Sequence, residues 1–272
     1  MADLDDTVVK AGVTPAIRAA FEPWLDYTAR AEALVHLTYE GLSRVQMIPD
    51  LLRLVRPEDE RDAAAEKKIA HADEHAAMAR VEEEGKYAFL HAQSLLGLWG
   101  ALECLVEDLF MARLNDEPAL LAEDSFRKVR LPVRLLASED PTERFRALVT
   151  EMTRATDSDL AQGVGKFERL LEPVGLGGPT PRLIRDAVFS AQQVRNVWAH
   201  RAGIADQRFV ERCPSLDVKV GERVDLDVGQ FMALMHGIHM YGVVIVNRCL
   251  VLADRPATKP TCPGYERVWD EA

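Results

Sequence analysis

Cysteine is scarce: Cys104, Cys213, Cys249 and Cys262 are the four in 272 residues, far apart and without paired spacing. That pattern suggests neither a zinc site nor a disulfide framework. No uninterrupted apolar run is long enough to span a bilayer, the best, residues 243–252, being broken by Asn247 and Arg248. The first residues, Met1-Ala2-Asp3-Leu4-Asp5-Asp6, are acidic and lack the basic-then-apolar layout of a secretory signal, so no membrane association and a cytoplasmic location are expected. Positive charge is also short, and a net charge of -11 argues against general nucleic-acid binding, which needs lysine and arginine to meet phosphates. There is no internal repeat.

What is present is an ordinary globular composition, 48% hydrophobic and 28% charged, in a chain long enough to bury a substantial core. Its charge is uneven. Residues 58–86 hold ten acidic and five basic side chains, whereas residues 125–146 and 182–212 each hold six basic and three acidic ones. An acidic protein with locally basic stretches can grip a substrate at a few positions: Arg127, Lys128, Arg130, Arg182, Arg185 and Arg201 are the candidates.

The apolar periodicity predicts helices almost throughout. Thr14-Pro15 reads as an N-cap followed by proline at the first helical position, opening a helix over residues 14–55 with breaks at Pro49 and Pro57. Residues 58–84 have high helix propensity but a thin apolar stripe, which predicts a solvated arm. From 87 to 114, Leu95, Leu98, Trp99, Leu102, Leu105 and Leu109 repeat at helical spacing and predict a core helix. Gly97 and Gly100 within it suggest close approach of another backbone. Shorter helices are expected at 141–154 and 157–172. A second strong helix starts near Thr180-Pro181 and stops by Gly203. Alternating residues 216–220 and 224–228 around Gly221-Glu222 predict a small β-hairpin before a last apolar helix. The expected organisation is an N-terminal helical extension (1–86), a helical bundle (87–255) and a flexible tail (256–272).

Chemistry concentrates in Arg195-Asn196-Val197-Trp198-Ala199-His200. At about 100° per residue Asn196 and His200 share a face, while Trp198 falls on the apolar stripe. Arg195 and His200, five apart, converge only through the length of arginine and the relaxed helix end. A half-buried arginine needs an anionic partner, and Glu103, one turn from Glu107, is the expected one. A histidine that titrates near neutrality can take or give a proton. Together these groups suit cleavage of RNA by its own 2′-hydroxyl, with arginine stabilising the phosphate. A salt-bridged arginine and a helix-capping histidine are the bland reading of the same residues. His71-Ala72-Asp73-Glu74-His75 spells an inverted zinc-protease signature, but on a charge-rich helix it reads as a solvated face. His236 and His239, one turn apart, read as packing residues, and Trp99 and Trp198 as core anchors.

The segment 195–200 resembles the HEPN superfamily signature, an arginine, four to six residues and a histidine, with asparagine common after the arginine. Its continuation, residues 201–209, and the segment 98–109 resemble one branch of that superfamily, so the likeness covers roughly residues 87–252. The resemblance implies an all-α bundle that dimerises with motif helices facing each other, forming a composite cleft. It further implies a metal-independent ribonuclease needing no cofactor. Arg195 and His200 would be the catalytic pair and Asn196 an auxiliary group. RNA would be the substrate, with an antitoxin or regulatory protein as a further partner. Some members only bind RNA, nucleotides or proteins, and a scaffold role fits the acidic charge.

Overall fold

The computed structural model describes residues 13–127, 129–131, 141–156 and 162–271. Among these the chain is all-α: helices α1 (Pro15–Val55), α2 (Ala63–Glu84), α3 (Ala88–Asp116), α4 (Pro141–Thr156), α5 (Val164–Leu171), α6 (Arg182–Arg201), α7 (Gln207–Arg212) and α8 (Val228–Leu252), with short 3-10 turns between them.

The cap of α1 is where the sequence places it. The Thr14 side chain accepts the N–H of Ile17 at 3.3 Å, with Pro15 in the first turn. The Thr14 hydroxyl also donates to Asp116 at the far end of α3, joining two helix termini. Phe21, Trp24 and Leu25 are buried, so the first half of α1 belongs to the core rather than to an extension. Pro49 does not break the helix. It is buried within α1, which runs unbroken to Val55 despite the missing N–H.

Beyond the core, the distal half of α1 pairs with α2 as an antiparallel hairpin. Asp62 caps α2 by accepting the N–H of Ala65 at 2.7 Å. The thin stripe of α2 is what buries: Ala65, Ile69, Ala72, Ala76 and Ala79 lie against α1, small side chains that let two helices come close. Arg53 clasps Asp73 at 2.6 Å, and Gln46 donates to Glu83 at 2.6 Å.

Helix α3 is the spine, with Leu95, Leu102, Leu109 and Phe110 fully buried. The Gly97 expectation needs amending: a Cβ there would strike the hydroxyl of Tyr27, a side chain rather than a backbone, and Gly100 faces nothing within 4 Å. Helix α8 is long and apolar enough to cross a membrane by length and composition, yet 61% of its apolar window is buried inside the protein, as in a core helix. An Asp227–Gln230 capping box starts it, with bonds of 2.8 and 3.0 Å.

Between α1, α3 and α8 lies a buried polar joint. His91 is fully buried and stacks on Phe231. Its Nδ1 sits 2.7 Å from the Leu226 carbonyl, which can only accept, so Nδ1 carries the proton and Nε2 accepts the Tyr39 hydroxyl. Burial lowers the histidine pKa and pushes the tyrosine up to about 12.

The expected hairpin is absent. Lys219 to Glu222 do form a turn, with the Glu222 N–H on the Lys219 carbonyl at 3.1 Å. The segment after that turn pairs instead with the exit of α6: Ala205 N–H to Glu222 O at 2.8 Å, Val224 N–H to Gly203 O at 2.8 Å, and a single Ile204–Arg223 bridge. Burial of Val224 and Leu226 against the bundle favours this pairing over a solvent-exposed ribbon. The tail differs from expectation too. It is anchored along α8, with Asn247 bonded to Thr258, the Tyr265 hydroxyl to the Ala233 carbonyl, and Val268 buried.

Candidate functional site

Helix α6 is held in place at both ends. Before it, Arg248 of α8 forms a half-buried ion pair with Glu168 at 2.8 Å and donates to the carbonyls of Leu176 and Gly178, fixing the loop that leads into the helix. At its end Ala202 and Gly203 both adopt left-handed backbone, and the Gly203 N–H reaches back to the Val197 carbonyl at 3.2 Å. Only glycine fits at 203, since a Cβ would lie 2.9 Å from the Trp198 ring. That ring is half-buried, and its Nε1–H donates to the Val224 carbonyl at 2.9 Å, so Trp198 is an anchor as expected. The residues that replace the hairpin therefore brace the motif.

Beside the last two turns of α6 opens a cleft of about 520 Å³, walled by α3, α4, α5, α6 and α7. Arg195, Asn196, His200 and Arg201 all line it, as do Glu103 and Glu107. The motif and the two glutamates thus surround one space. The pairing inside it is different. Glu103 accepts from Lys166 Nζ at 2.7 Å and from Trp99 Nε1 at 2.8 Å, and is not the partner of Arg195. Arg195 Nη1 donates to Asn196 Oδ1 at 3.3 Å. Lysine takes the glutamate because α5, whose packing sequence alone does not give, lays Lys166 across from α3.

Three cations of this wall escaped the sequence reading: Lys166, Arg208 and Arg212. The signal for the last two was present, since residues 208 and 212 are one turn apart and so share a face. Five cations meet three carboxylates (Glu103, Glu107 and Asp206) around the cleft. Lys166 is taken up by Glu103, and Arg201 by Asp206 at 3.3 Å. Arg195 and Arg212 bond to side-chain amides, Asn196 and Gln193, and neither forms an ion pair among the described residues. Burial first, then Glu103 and Asp108, push the Glu107 carboxyl up, with Lys166 opposing.

The other proposed basic positions do not join the cleft. Arg182 and Arg185 sit at the start of α6, on the order of 20–27 Å from His200 along the helix at 1.5 Å per residue. Arg182 pairs with Asp186, and Arg127 with Asp124. Arg130 is exposed and outside the cleft lining, and Lys128 lies outside the described residues. Sequence proximity made one basic face out of side chains that the fold separates.

The remaining histidines behave as packing or surface groups. His71 and His75 are ring neighbours on an exposed face of α2. No cluster of three metal-ligating side chains occurs among the described residues. His236 bonds to the Pro263 carbonyl, and His239 stacks on Trp24. Compared with protein-family models, curated proteins and solved structures, the chain gives no match.

Proposed function

We propose that this protein is a metal-independent endoribonuclease of HEPN type, acting as a toxin or anti-phage effector. The observation that carries the reading is Arg195: a half-buried guanidinium at the cleft wall, beside Asn196 and His200, that forms no ion pair among the described residues. Such a cation is suited to an external anion, and a phosphodiester presents two non-bridging oxygens that a planar guanidinium can bind together. The resemblance of residues 195–200 to the HEPN signature supplies the reaction type.

In the proposed reaction an imidazole removes the 2′-OH proton and the 2′-oxygen bonds to the adjacent phosphorus. The P–O5′ bond then breaks, and the 5′-oxygen takes a proton from an imidazolium. The products are a 2′,3′-cyclic phosphate and a 5′-hydroxyl. Arg195 offsets the charge growing on the phosphate oxygens, and Asn196 orients its guanidinium. His200 is exposed at the end of α6, so a second copy facing this one would complete the cleft and let two imidazoles divide the proton transfers.

Purified protein incubated with single-stranded RNA in excess EDTA should release cyclic-phosphate ends. His200→Ala should slow cleavage by about 10²–10⁴-fold and Arg195→Ala by about 10²–10³-fold. Cleavage undiminished in both variants removes the pair from the mechanism. A second reading, a silent module that binds RNA, a nucleotide or a partner protein, is favoured by the carboxylates that share the cleft. It predicts salt-sensitive binding without product.

A further inference from the structure

The distal half of α1 carries apolar side chains that nothing among the described residues covers. Leu34, Leu37, Gly41, Arg44, Ile48 and Leu51 recur at spacings of three and four, a heptad seam. Val35 and Pro49, which are buried, lie off this seam, about 130° round the helix from its centre. Leu34 and Leu37 are 62% and 65% exposed and Leu51 53%, with Met47, Leu54 and Val55 exposed alongside. Single exposed leucines need no explanation, but two apolar groups on one helix face, Leu34 with Leu37 and Ile48 with Leu51, on either side of Gly41 and Arg44, mark an interaction surface. Gly41 supplies a second observation. A glycine within a helix costs about 1 kcal/mol relative to alanine, and a Cβ here would meet nothing within 4 Å. Nothing among the described residues requires that glycine, whereas close approach of a second helix would.

We propose that this seam is a self-association surface on which a second copy of the chain packs its own α1 antiparallel. The seam reads the same in both directions about a point between Gly41 and Arg44. An antiparallel copy therefore places Leu34 on Leu51, Leu37 on Ile48 and Gly41 on Arg44, each layer occurring twice. The space over Gly41 admits the long arginine, which bonds to Glu40 of its own helix at 3.0 Å and meets the other copy's Glu40 beside that glycine. A parallel pair would stack Arg44 on Arg44, a like-charge contact that costs stability. No residue of the seam lines the cleft, so this association is a separate contact from the one that would complete the cleft.

Sedimentation equilibrium of the full chain across the micromolar range tests this. The wild type should self-associate, and Leu37→Glu combined with Ile48→Glu should weaken one association step by about 100-fold or more, through charge buried at the seam, whether or not the cleft faces also pair. Far-UV circular dichroism should stay unchanged, because both positions are exposed in the single chain. On a Cys104→Ser background, which removes the exposed thiol, chains carrying Leu34→Cys should cross-link to chains carrying Leu51→Cys and neither to itself. A monomer at every concentration overturns the proposal and leaves the stripe to another protein or a lipid. Association unchanged by the glutamates at every step, or cross-linking of residue 34 to residue 34, overturns it equally.

Discussion

Helix α1 crosses two environments, and its glycine neighbours show the difference. In its first half aromatic side chains fill the hollows that glycines leave on other helices: Tyr27 over Gly97 of α3, and Trp24 over Gly242 of α8, where a Cβ would lie 2.1 Å from the indole. In its second half the glycine is on α1 itself and faces open space. Close packing needs glycine in both places, but only the first is satisfied within one chain. The body is a finished core. The arm presents a helix face still to be covered.

The largest effect is expected at Trp24. Trp24→Ala should destabilise the fold by about 3–5 kcal/mol, since a fully buried indole leaves a cavity between α1 and α8. Gly242→Ala should cost about 1–3 kcal/mol by overpacking the same contact from the other side. Urea unfolding of each variant measures both. Near-neutral stability for either would mean that the first half of α1 is not part of the core.

The same contact sets a pH dependence. His239 stacks on Trp24, and its Nδ1 is buried without a protein partner. Burial, with His236 adding to it, lowers its pKa to about 4. In the unfolded chain it titrates near 6.5, so as pH falls the unfolded state binds the proton first. The contribution is therefore full above about pH 6.5 and lost progressively down to about pH 4, amounting to about 2 kcal/mol at pH 5. His91 pulls the same way, while the raised pKa values of Glu107 and Asp108 oppose both. His239→Gln should flatten the fall in urea-unfolding free energy between pH 7 and pH 5. An unchanged slope would exclude this histidine as its source.

The parts legible in sequence were those set by neighbours along the chain. The Thr14-Pro15 cap, the stripe of α3 and the helical motif around His200 follow from spacings of one to four residues, which helix geometry turns into faces. Pairing across the chain was not legible. Glu103 has Lys166 sixty-three positions away for its partner, and no periodicity distinguishes that from Arg195. Residues 216–228 alternate like a hairpin because Val224 and Leu226 are buried, but their backbone partners are in the exit of α6. His91 passed unnoticed because a histidine in an apolar stripe shows its value only beside Tyr39 and the Leu226 carbonyl.

The smallest expected effect is at Gly41, on the arm. In a chain whose arm is held monomeric by Leu37→Glu and Ile48→Glu, Gly41→Ala should stabilise by about 1 kcal/mol, because alanine loses less backbone entropy in a helix and meets no neighbour. In the paired wild type the new methyl would occupy the space assigned to the other copy's Arg44, offsetting that gain. Melting temperature across the four combinations gives the coupling as the part that does not add. In the monomeric background the rise should be about 2–4 °C, the scale for chains of roughly this size. Equal rises in both backgrounds would mean that Gly41 faces water in the assembled protein too, and that the arm differs from the core in composition rather than in unfinished packing.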